Sequence, residues 1–478
     1  MMQGKLVFVC GNFNVLHPGH LRFLRFAKEC GQRLVVAVES DRKAGALAHV
    51  PEGLRLECVQ SIGWVDEAFI LDEAVTNVIE RLRPDIVVKG KEHEQRYNPE
   101  LVALELYGGK LVFSSGESSF SSIDMLRHEF ENQAFHSISL PTDYLDRHNL
   151  SAKQLAARVH QFSRLKVCIL GDLIIDEYIT CEPLGMSQED PTIVVTPIDS
   201  TRFVGGAGIV AAHAAGLGAE VRFFSVTGND EVRTFAAQRL QAEGVKASLL
   251  MDESRPTTLK QRFRCKGKTL LRVSHLHQRA IPLDLQQQIM AELTQEMASF
   301  DLLVFSDFNY GALPQPMVDD IIEMARCHKI MLVADSQSSS QFGDVARFKG
   351  MNLITPTERE ARISTRNMED GLVILAEELR QKAAARNILL KLGEEGLLVH
   401  AGLDTGPEWL TDRVGALNSH AKDVAGAGDS LLIASAMALA VGGDIWEAAC
   451  LGSLAAAIQV GRVGNTPIQR EEILRELV

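Results

Sequence analysis

Short apolar runs alternate with amphipathic stretches over the first 130 residues. "KLVFVCG" is β-rich and ends on Gly11, "QRLVVAVESD" repeats the run and ends on an acid, and "VDEAFIL", "PDIVVKG" and "GGKLVFSSG" follow, with the helical stretch "AVTNVIERLR" between the first two of these. Strands that alternate with helices predict βαβ units around a parallel sheet. The pattern stops at residues 131–150, "ENQAFHSISLPTDYLDRHNL", which are polar, contain Pro141 and show no regular period. They are expected to form a linker, after which Ser151 caps the helix "SAKQLAARVHQF".

A second α/β pattern starts at "LKVCILGDLIIDEY". The charged, β-rich stretches "PTIVVTPIDSTRF" and "TLKQRFRCKGKTLLRVSH" lack helical periodicity and predict a small sheet projecting from the main body. "DLLVFSD", "IMLVADS", "MNLITPT" and "ILLKLGEEGLLVH" then read as buried strands between helical runs. The most apolar region, "LLIASAMALAVGGDIWEAACLGSLAAAIQVG", is broken by Gly-Gly-Asp and carries Glu447, so it predicts two buried helices and no membrane span. The expected organisation is a domain at 1–130, a linker at 131–150 and a larger α/β domain at 151–478.

Composition narrows the function classes. A chain of 478 residues suggests roughly two to four domains, and 46% hydrophobic with 23% charged residues is ordinary globular composition. A formal net charge of −13, from 62 acidic and 49 basic side chains, argues against a general nucleic-acid surface. Small anions remain open, because local backbone N–H groups can hold them. Eight cysteines are scattered without a CxxC pair, which excludes a zinc ribbon or thioredoxin-like motif. "MMQGKLVFVC" reaches the first motif too soon for a secretion signal, so a reducing cytoplasm is expected.

The first candidate chemistry is "GNFNVLHPGH". Gly11 lets the backbone approach a ligand, and the helix that follows offers unpaired N–H groups and a positive dipole end. His17 and His20, three apart at a helix start, fall on one face and can meet the same anion. A pair of surface or core histidines, or metal ligands lacking a third, are the competing readings. The segment, over about residues 4 to 128, resembles the nucleotidyltransferase superfamily with the His-x-Gly-His signature, which includes the cytidylyltransferase-like enzymes. The resemblance implies a Rossmann-like fold in which His17 and His20 stabilise the pentavalent phosphate of nucleotidyl transfer. It implies nucleotide or phosphate contacts for Gly11, Phe13, Asn14, Arg55, Lys89, Ser121 and Ser122. Asn14 stands where the superfamily usually has Asp, Ile123 where it commonly has Thr, and the loop after Asp41 is short.

The second candidate is "DVAGAGDSLL". Gly-Ala-Gly-Asp before an apolar helix surrounds a small anion with backbone N–H groups and sets a carboxylate beside them. Asp429 is the base candidate, with Gly426, Ala427 and Gly428 at the phosphate; a structural turn with Asp429 as helix N-cap is the alternative. From about Leu165 to Val478 the chain resembles the ribokinase/PfkB sugar kinases, on "GDLIIDEY", "FVGGAGIVAAHAAGLGAEVRFFSVTGND", "FSDFNYGAL", "NLITPTERE" and "ILLKLGEEG". The resemblance implies a ribokinase-like domain with a small β-sheet lid. It implies Asp176, Gly205 and Gly206 at the substrate, Lys391 and Gly393 at ATP, and Glu360 organising magnesium-bound water. Thr357, Ile209 and Ser336-Gln337 depart from the pattern.

One family joins the two modules, the bifunctional heptose kinase/adenylyltransferases, here with the order inverted. The resemblance implies an enzyme that phosphorylates a sugar phosphate, of heptose type at O1, with ATP and Mg2+, then transfers AMP to a sugar 1-phosphate. It implies no nucleic-acid or membrane partner, and a homodimer through the kinase lid. A sugar kinase with a weak or regulatory N-terminal module, and a non-catalytic nucleotide-sensing or scaffold protein, are the other readings.

Overall fold

The computed structural model describes residues 5–14, 16, 18–45, 50–90, 98–114, 138–187, 189–265, 268–337, 343–402 and 409–477. The chain divides into two compact units, Met1–His136 with Arg366–Glu378 and Thr411–Arg413, and Ser137–Thr365 with Leu379–Leu410 and Val414–Val478.

In the first unit the apolar runs become β1 (Leu6–Gly11), β2 (Arg33–Glu39), β3 (Glu67–Leu71), β4 (Ile86–Gly90) and β5 (Lys110–Ser114). Among the described residues they form one sheet in the order β3-β2-β1-β4-β5, paired in parallel throughout. A parallel sheet covered on both faces needs apolar residues at successive positions, and Val7, Phe8 and Val9 are all buried completely. Phe8, Val35, Val78, Ile79, Val87 and Leu104 pack as its core. The strand order reverses between β1 and β4, so a crevice opens at their carboxyl ends, where such sheets bind ligands.

Among the described residues β6 (Lys166–Gly171), β9 (Glu220–Thr227), β10 (Lys246–Met251), β13 (Leu302–Asp307), β14 (Met331–Ser336), β15 (Leu353–Ile354), β16 (Asn387–Lys391), β17 (Leu397–Gly402) and β18 (Trp409–Val414) form a second, nine-stranded sheet. Its order is β10-β9-β6-β13-β14-β15-β16-β17-β18, parallel from β10 to β16 and antiparallel between β16 and β17. The expected projecting sheet is present: β7 (Leu173–Met186), β8 (Ile193–Gly206), β11 (Leu259–Cys265) and β12 (Lys268–His275) pair in the order β12-β11-β7-β8.

The most apolar region forms helices Ala427–Ala440 and Ile445–Val460, the second started by an Asp444–Glu447 capping box. Leu431, Leu432, Ile433 and Met437 of the first are buried in the core. Burying four such side chains contributes on the order of 6–12 kcal/mol gross, an upper figure before chain entropy. No helix among the described residues is long and apolar enough to cross a membrane.

The stretch expected to be a linker differs. Residues Thr142–Arg147 are helical, and Tyr144, Leu145 and Leu150 are buried in the second unit's core. Tyr144 donates to the Trp446 carbonyl at 3.1 Å, and the His148 ring stacks on Trp446 at 4.0 Å. A few apolar residues in a polar run carry no helical period, yet they suffice once an aromatic neighbour receives them. Ser151 caps the next helix as expected, accepting from the Gln154 N–H.

Candidate active sites

In the first unit, β1 ends at Gly11 and the chain turns sharply before the helix Pro18–Glu29. Phe13 makes the turn with φ +48°, a left-handed conformation that bulky side chains adopt rarely. Its ring is buried and meets the His20 ring edge-on, with centroids 5.3 Å apart. Arg55 is fully buried below the turn. Its Nη1 donates to the Asn12 carbonyl and Oδ1 at 2.7 and 2.6 Å, its Nε to the Val50 carbonyl at 2.7 Å, and its Nη2 to Asp41 Oδ1 at 2.5 Å. The hydrogen bond from Arg55 holds the Asp41 carboxyl below the usual carboxylate range. Arg55 thus ties the end of β1 to the residues after β2, and in this geometry it braces the turn. Lys89, near the end of β4, pairs with the buried Glu100 at 2.9 Å. Between them Cys10 is a neutral thiol, its pKa pushed up to about 12 by burial first and by Glu100 second. Gly11 ends β1, Phe13 and Asn14 lie in the turn after it, and His20 lies in the first turn of the helix that follows, at the carboxyl end of β1 beside β4, the strand that carries Lys89. His17, Ser121, Ser122 and Ile123 lie outside the described residues.

In the second unit the carboxyl ends of parallel strands deliver the polar groups. Asp172 follows β6, Asp307 ends β13, Asp335 lies in β14 next to its last residue, and Lys391 ends β16. The helix Ala427–Ala440 starts in the same region. Gly426 is its N-cap with φ +76°, so Ala427, Gly428 and Asp429 form the first turn, where N–H groups lack intrahelical acceptors. Asp429 is therefore not the cap. Its carboxyl is buried and accepts from Gln337 Nε2 at 3.3 Å. Burial first, then the Asp335 charge, pushes its pKa up to about 7. A carboxylate tuned to that value is suited to take a proton near neutral pH. Lys391 Nζ holds both Asp335 oxygens at 3.1 and 3.0 Å. Burial opposes the Lys391 charge, but Asp335 and Glu360 outweigh it and its pKa is raised. A Cβ on Gly428 would lie 3.2 Å from that ammonium, which places Lys391 against the Gly-Ala-Gly turn. Glu360 is buried, and its Oε2 accepts from the Thr357 N–H at 2.7 Å. Gly393 sits after β16 with φ +64°.

Asp176 stands on lid strand β7. Burial raises its pKa, against the Arg262 charge. Arg262 Nη2 and Asn465 Nδ2 donate to it at 3.3 and 3.4 Å. A Cβ on Gly205 would lie 2.5 Å from Asp176 Oδ2, so glycine is required there. Gly206, with φ +58°, then starts the helix Ala207–Gly216. Ile209, where the resemblance has a polar residue, is fully buried in the core.

Two organising residues carried no distinct sequence signal. Asp172 accepts from the N–H groups of Phe308, Tyr310 and Ala312 at 2.8, 3.2 and 3.1 Å, and so shapes the Phe308–Ala312 loop. Burial, then Asp307, raises its pKa to about 6. Asp335 is the second. Both follow an apolar run at a strand end, and that position was the available clue.

Residues 164–471 match the pfkB family carbohydrate kinases, and residues 8–106 match the cytidylyltransferase-like family. The chain is 30% identical over 323 residues to the "Bifunctional protein HldE" of Desulfatibacillum aliphaticivorans, covering 67% of this chain and 64% of that protein's length. It is 31% identical over 319 residues to the "D-beta-D-heptose 7-phosphate kinase" of Bordetella bronchiseptica, covering 66% of this chain and 97% of that protein. Among solved structures, phosphofructokinase-2 from Escherichia coli aligns with a TM-score of 0.53 at 15% identity, over 66% of this chain and 98% of that one. Arabidopsis thaliana ribokinase aligns at 0.52 and 16%, with the same coverage. At these identities the structural likeness is one of fold.

Proposed function

The chain belongs to the pfkB family of carbohydrate kinases and carries a cytidylyltransferase-like domain ahead of the kinase, and from this premise we propose that it is a bifunctional enzyme making a nucleoside-diphosphate sugar. The kinase unit phosphorylates a sugar phosphate, of heptose type at O1, and the first unit transfers AMP from ATP to a sugar 1-phosphate. The observation that carries this reading is the Asp429 carboxyl at the Gly426–Gly428 turn, with Asp176 across the site.

In the kinase step Asp176 fixes the acceptor, Asp429 takes the proton of the attacking hydroxyl, and the first-turn N–H groups meet charge on the moving phosphoryl group. In the first unit His20, with His17, meets charge on the α-phosphate, and Lys89 lies beside it. The names of the relatives support the heptose assignment.

Magnesium fits this kinase site as a substrate-borne ion. Among the described residues no three acids, histidines or cysteines form a group able to hold a metal. Asp335 is occupied by Lys391, and the family resemblance assigns Glu360 to reach the ion through water. Mg2+ commonly keeps several waters and is held by few carboxylates plus substrate phosphates, and when bound it neutralises phosphate charge.

Exposed Leu184, Met186, Ile193, Ile198, Leu270 and Leu271 on the lid sheet support pairing with a second copy. Eight free thiols suit a reducing cytoplasm.

The test is incubation with ATP, Mg2+ and a panel of phosphorylated and unphosphorylated sugars, with ADP and pyrophosphate followed separately. ADP formation that survives Asp429→Ala would refute the kinase assignment. Pyrophosphate release that survives His20→Ala would refute the transferase assignment. ADP without pyrophosphate for every sugar phosphate and nucleotide would leave a kinase with a regulatory first unit, the reading that Asn14 favours.

A further inference from the structure

Gln337 follows β14 and departs from the pattern of the kinase resemblance, yet the fold gives it a defined place. The end of β13 clamps its backbone. Its N–H donates to the Asp307 carbonyl at 2.8 Å, and its own carbonyl accepts from Asn309 Nδ2 at 3.2 Å. Asp307 is fixed in turn. Its Oδ2 takes Ser336 Oγ at 2.8 Å and Arg347 Nη2 at 3.0 Å, and its Oδ1 takes the Asn309 N–H at 3.0 Å. Asn309 makes its turn with φ +60°, a left-handed conformation that asparagine adopts more readily than most side chains.

From this clamp the half-buried Gln337 side chain reaches across 92 positions of sequence to Asp429, where Nε2 lies 3.3 Å from Oδ1. Among the described residues no other group hydrogen-bonds the Asp429 carboxyl. Its second oxygen, Oδ2, has no donor there and is not one of the polar atoms sealed in the interior without a partner, so it opens toward the site. The carboxyl is therefore asymmetric, with one oxygen held and the other presented.

The type of donor matters. Asp429 faces Asp335 from β14 and Asp176 from lid strand β7, with Lys391 from β16 and Lys260 from lid strand β11 countering them. A glutamine amide adds a donor to this balance without adding charge. It holds the carboxylate before proton transfer and the carboxylic acid after it, because Oδ1 accepts in both states. An ammonium in the same place would favour the ionised form and weaken the base. The 3.3 Å separation is long, and catalytic hydrogen bonds commonly tighten once substrate is bound.

We infer that Gln337 positions the base: its amide holds Asp429 Oδ1 and so aims Oδ2 at the acceptor hydroxyl. The inference rests on the kinase reading above and adds the residue that orients its base. In the step, the acceptor oxygen forms the bond to phosphorus, ADP leaves with the electron pair of the broken P–O bond, and the hydroxyl proton passes to Oδ2. The Gln337 N–H stays on Oδ1 throughout.

Variants of the full-length protein test this. Gln337→Met keeps the length and removes the donor. It should lower kcat for ADP release from the phosphorylated sugar about ten- to a hundredfold, with both KM values within about twofold of wild type. Gln337→Lys keeps an N–H donor and should retain more of kcat. Its charge should move the acidic limb of kcat/KM down by about 1 to 3 pH units, and Gln337→Glu should move it up. Carbon-13 resonances of labelled aspartate, with Asp429 identified by its loss in Asp429→Asn, read the same midpoints without turnover. Wild-type kcat in Gln337→Met, or a limb and a resonance midpoint that stay in place in both the Lys and the Glu variant, overturns the assignment while the kinase reading stands. Midpoints that move as stated, with no ADP from wild type and any sugar phosphate, keep Gln337 as the partner of Asp429 and overturn the kinase reading.

Discussion

Lys391, at the end of β16, grips both oxygens of Asp335, near the end of β14 two strands away, at 3.1 and 3.0 Å, against the turn that starts the Asp429 helix. The two residues are 56 positions apart in sequence and are brought together because their parallel strands end at the same edge. With Lys391 engaged on Asp335, its charge still moderates Asp429. Removing the lysine would leave a buried, unpaired carboxylate.

Lys391→Met should therefore destabilise the kinase unit by about 3–5 kcal/mol, the usual cost of breaking a buried pair from one side. The loss should be greatest at high pH, where Asp335 must stay ionised, and smaller at low pH, where it can protonate. Urea unfolding at pH 6 and pH 8.5 checks this, and equal stability of variant and wild type at pH 8.5 would contradict it.

Asp429 predicts opposite effects on activity and stability. Its folded pKa, about 7, lies above the unfolded carboxylate value. Between pH 4 and 7 the folded state then holds a proton that the unfolded state has released, so this group's contribution to stability falls as pH rises through that window and is flat above it. Asp429→Asn should unfold at higher temperature than wild type at pH 8, with the advantage shrinking toward pH 4. The wild-type kcat/KM for the kinase step should fall about tenfold per pH unit below pH 7 as the base protonates, and the variant should lose ADP production. A flat pH–rate profile from 5.5 to 8 would remove Asp429 as the base.

Gly205→Ala should raise the KM for the acceptor more than tenfold and leave the KM for ATP nearly unchanged. The added Cβ, 2.5 Å from Asp176 Oδ2, must displace that carboxylate from Arg262 and Asn465. Steady-state kinetics with each substrate varied in turn distinguishes this from general damage, which would move both constants.

Asp172→Asn should loosen the Phe308–Ala312 loop. An amide offers one acceptor oxygen where three N–H groups now find two, and it turns an N–H donor toward another donor. A loss of about 1–3 kcal/mol is expected, together with faster amide exchange at Phe308, Tyr310 and Ala312. Unchanged exchange there would show that the loop is held by its packing alone.

Much of this was legible in the sequence because it rests on local chemistry. "TLKQRFRCKGKTLLRVSH" showed its sheet by being β-rich, charged and without helical periodicity, and Gly-Ala-Gly-Asp before an apolar run marked a helix start with a carboxylate beside it. What escaped depends on distance or on docking. Asn465 reaches Asp176 across 289 residues, and nothing local marks it. Tyr144 and Leu145 look like linker residues until Trp446 receives them. Arg55 reads as a phosphate ligand by position, but in the fold its nitrogens are turned to Asn12, Val50 and Asp41, a use that only the packing reveals.

The central claim, two activities on one chain, is tested most directly by following ADP and pyrophosphate separately in wild type, Asp429→Asn and His20→Ala, each supplied with ATP, Mg2+ and either heptose 7-phosphate or heptose 1-phosphate. The account predicts ADP from the 7-phosphate that disappears only in Asp429→Asn, and pyrophosphate from the 1-phosphate that disappears only in His20→Ala. Loss of both products in either variant, or pyrophosphate formation untouched by His20→Ala, would contradict it.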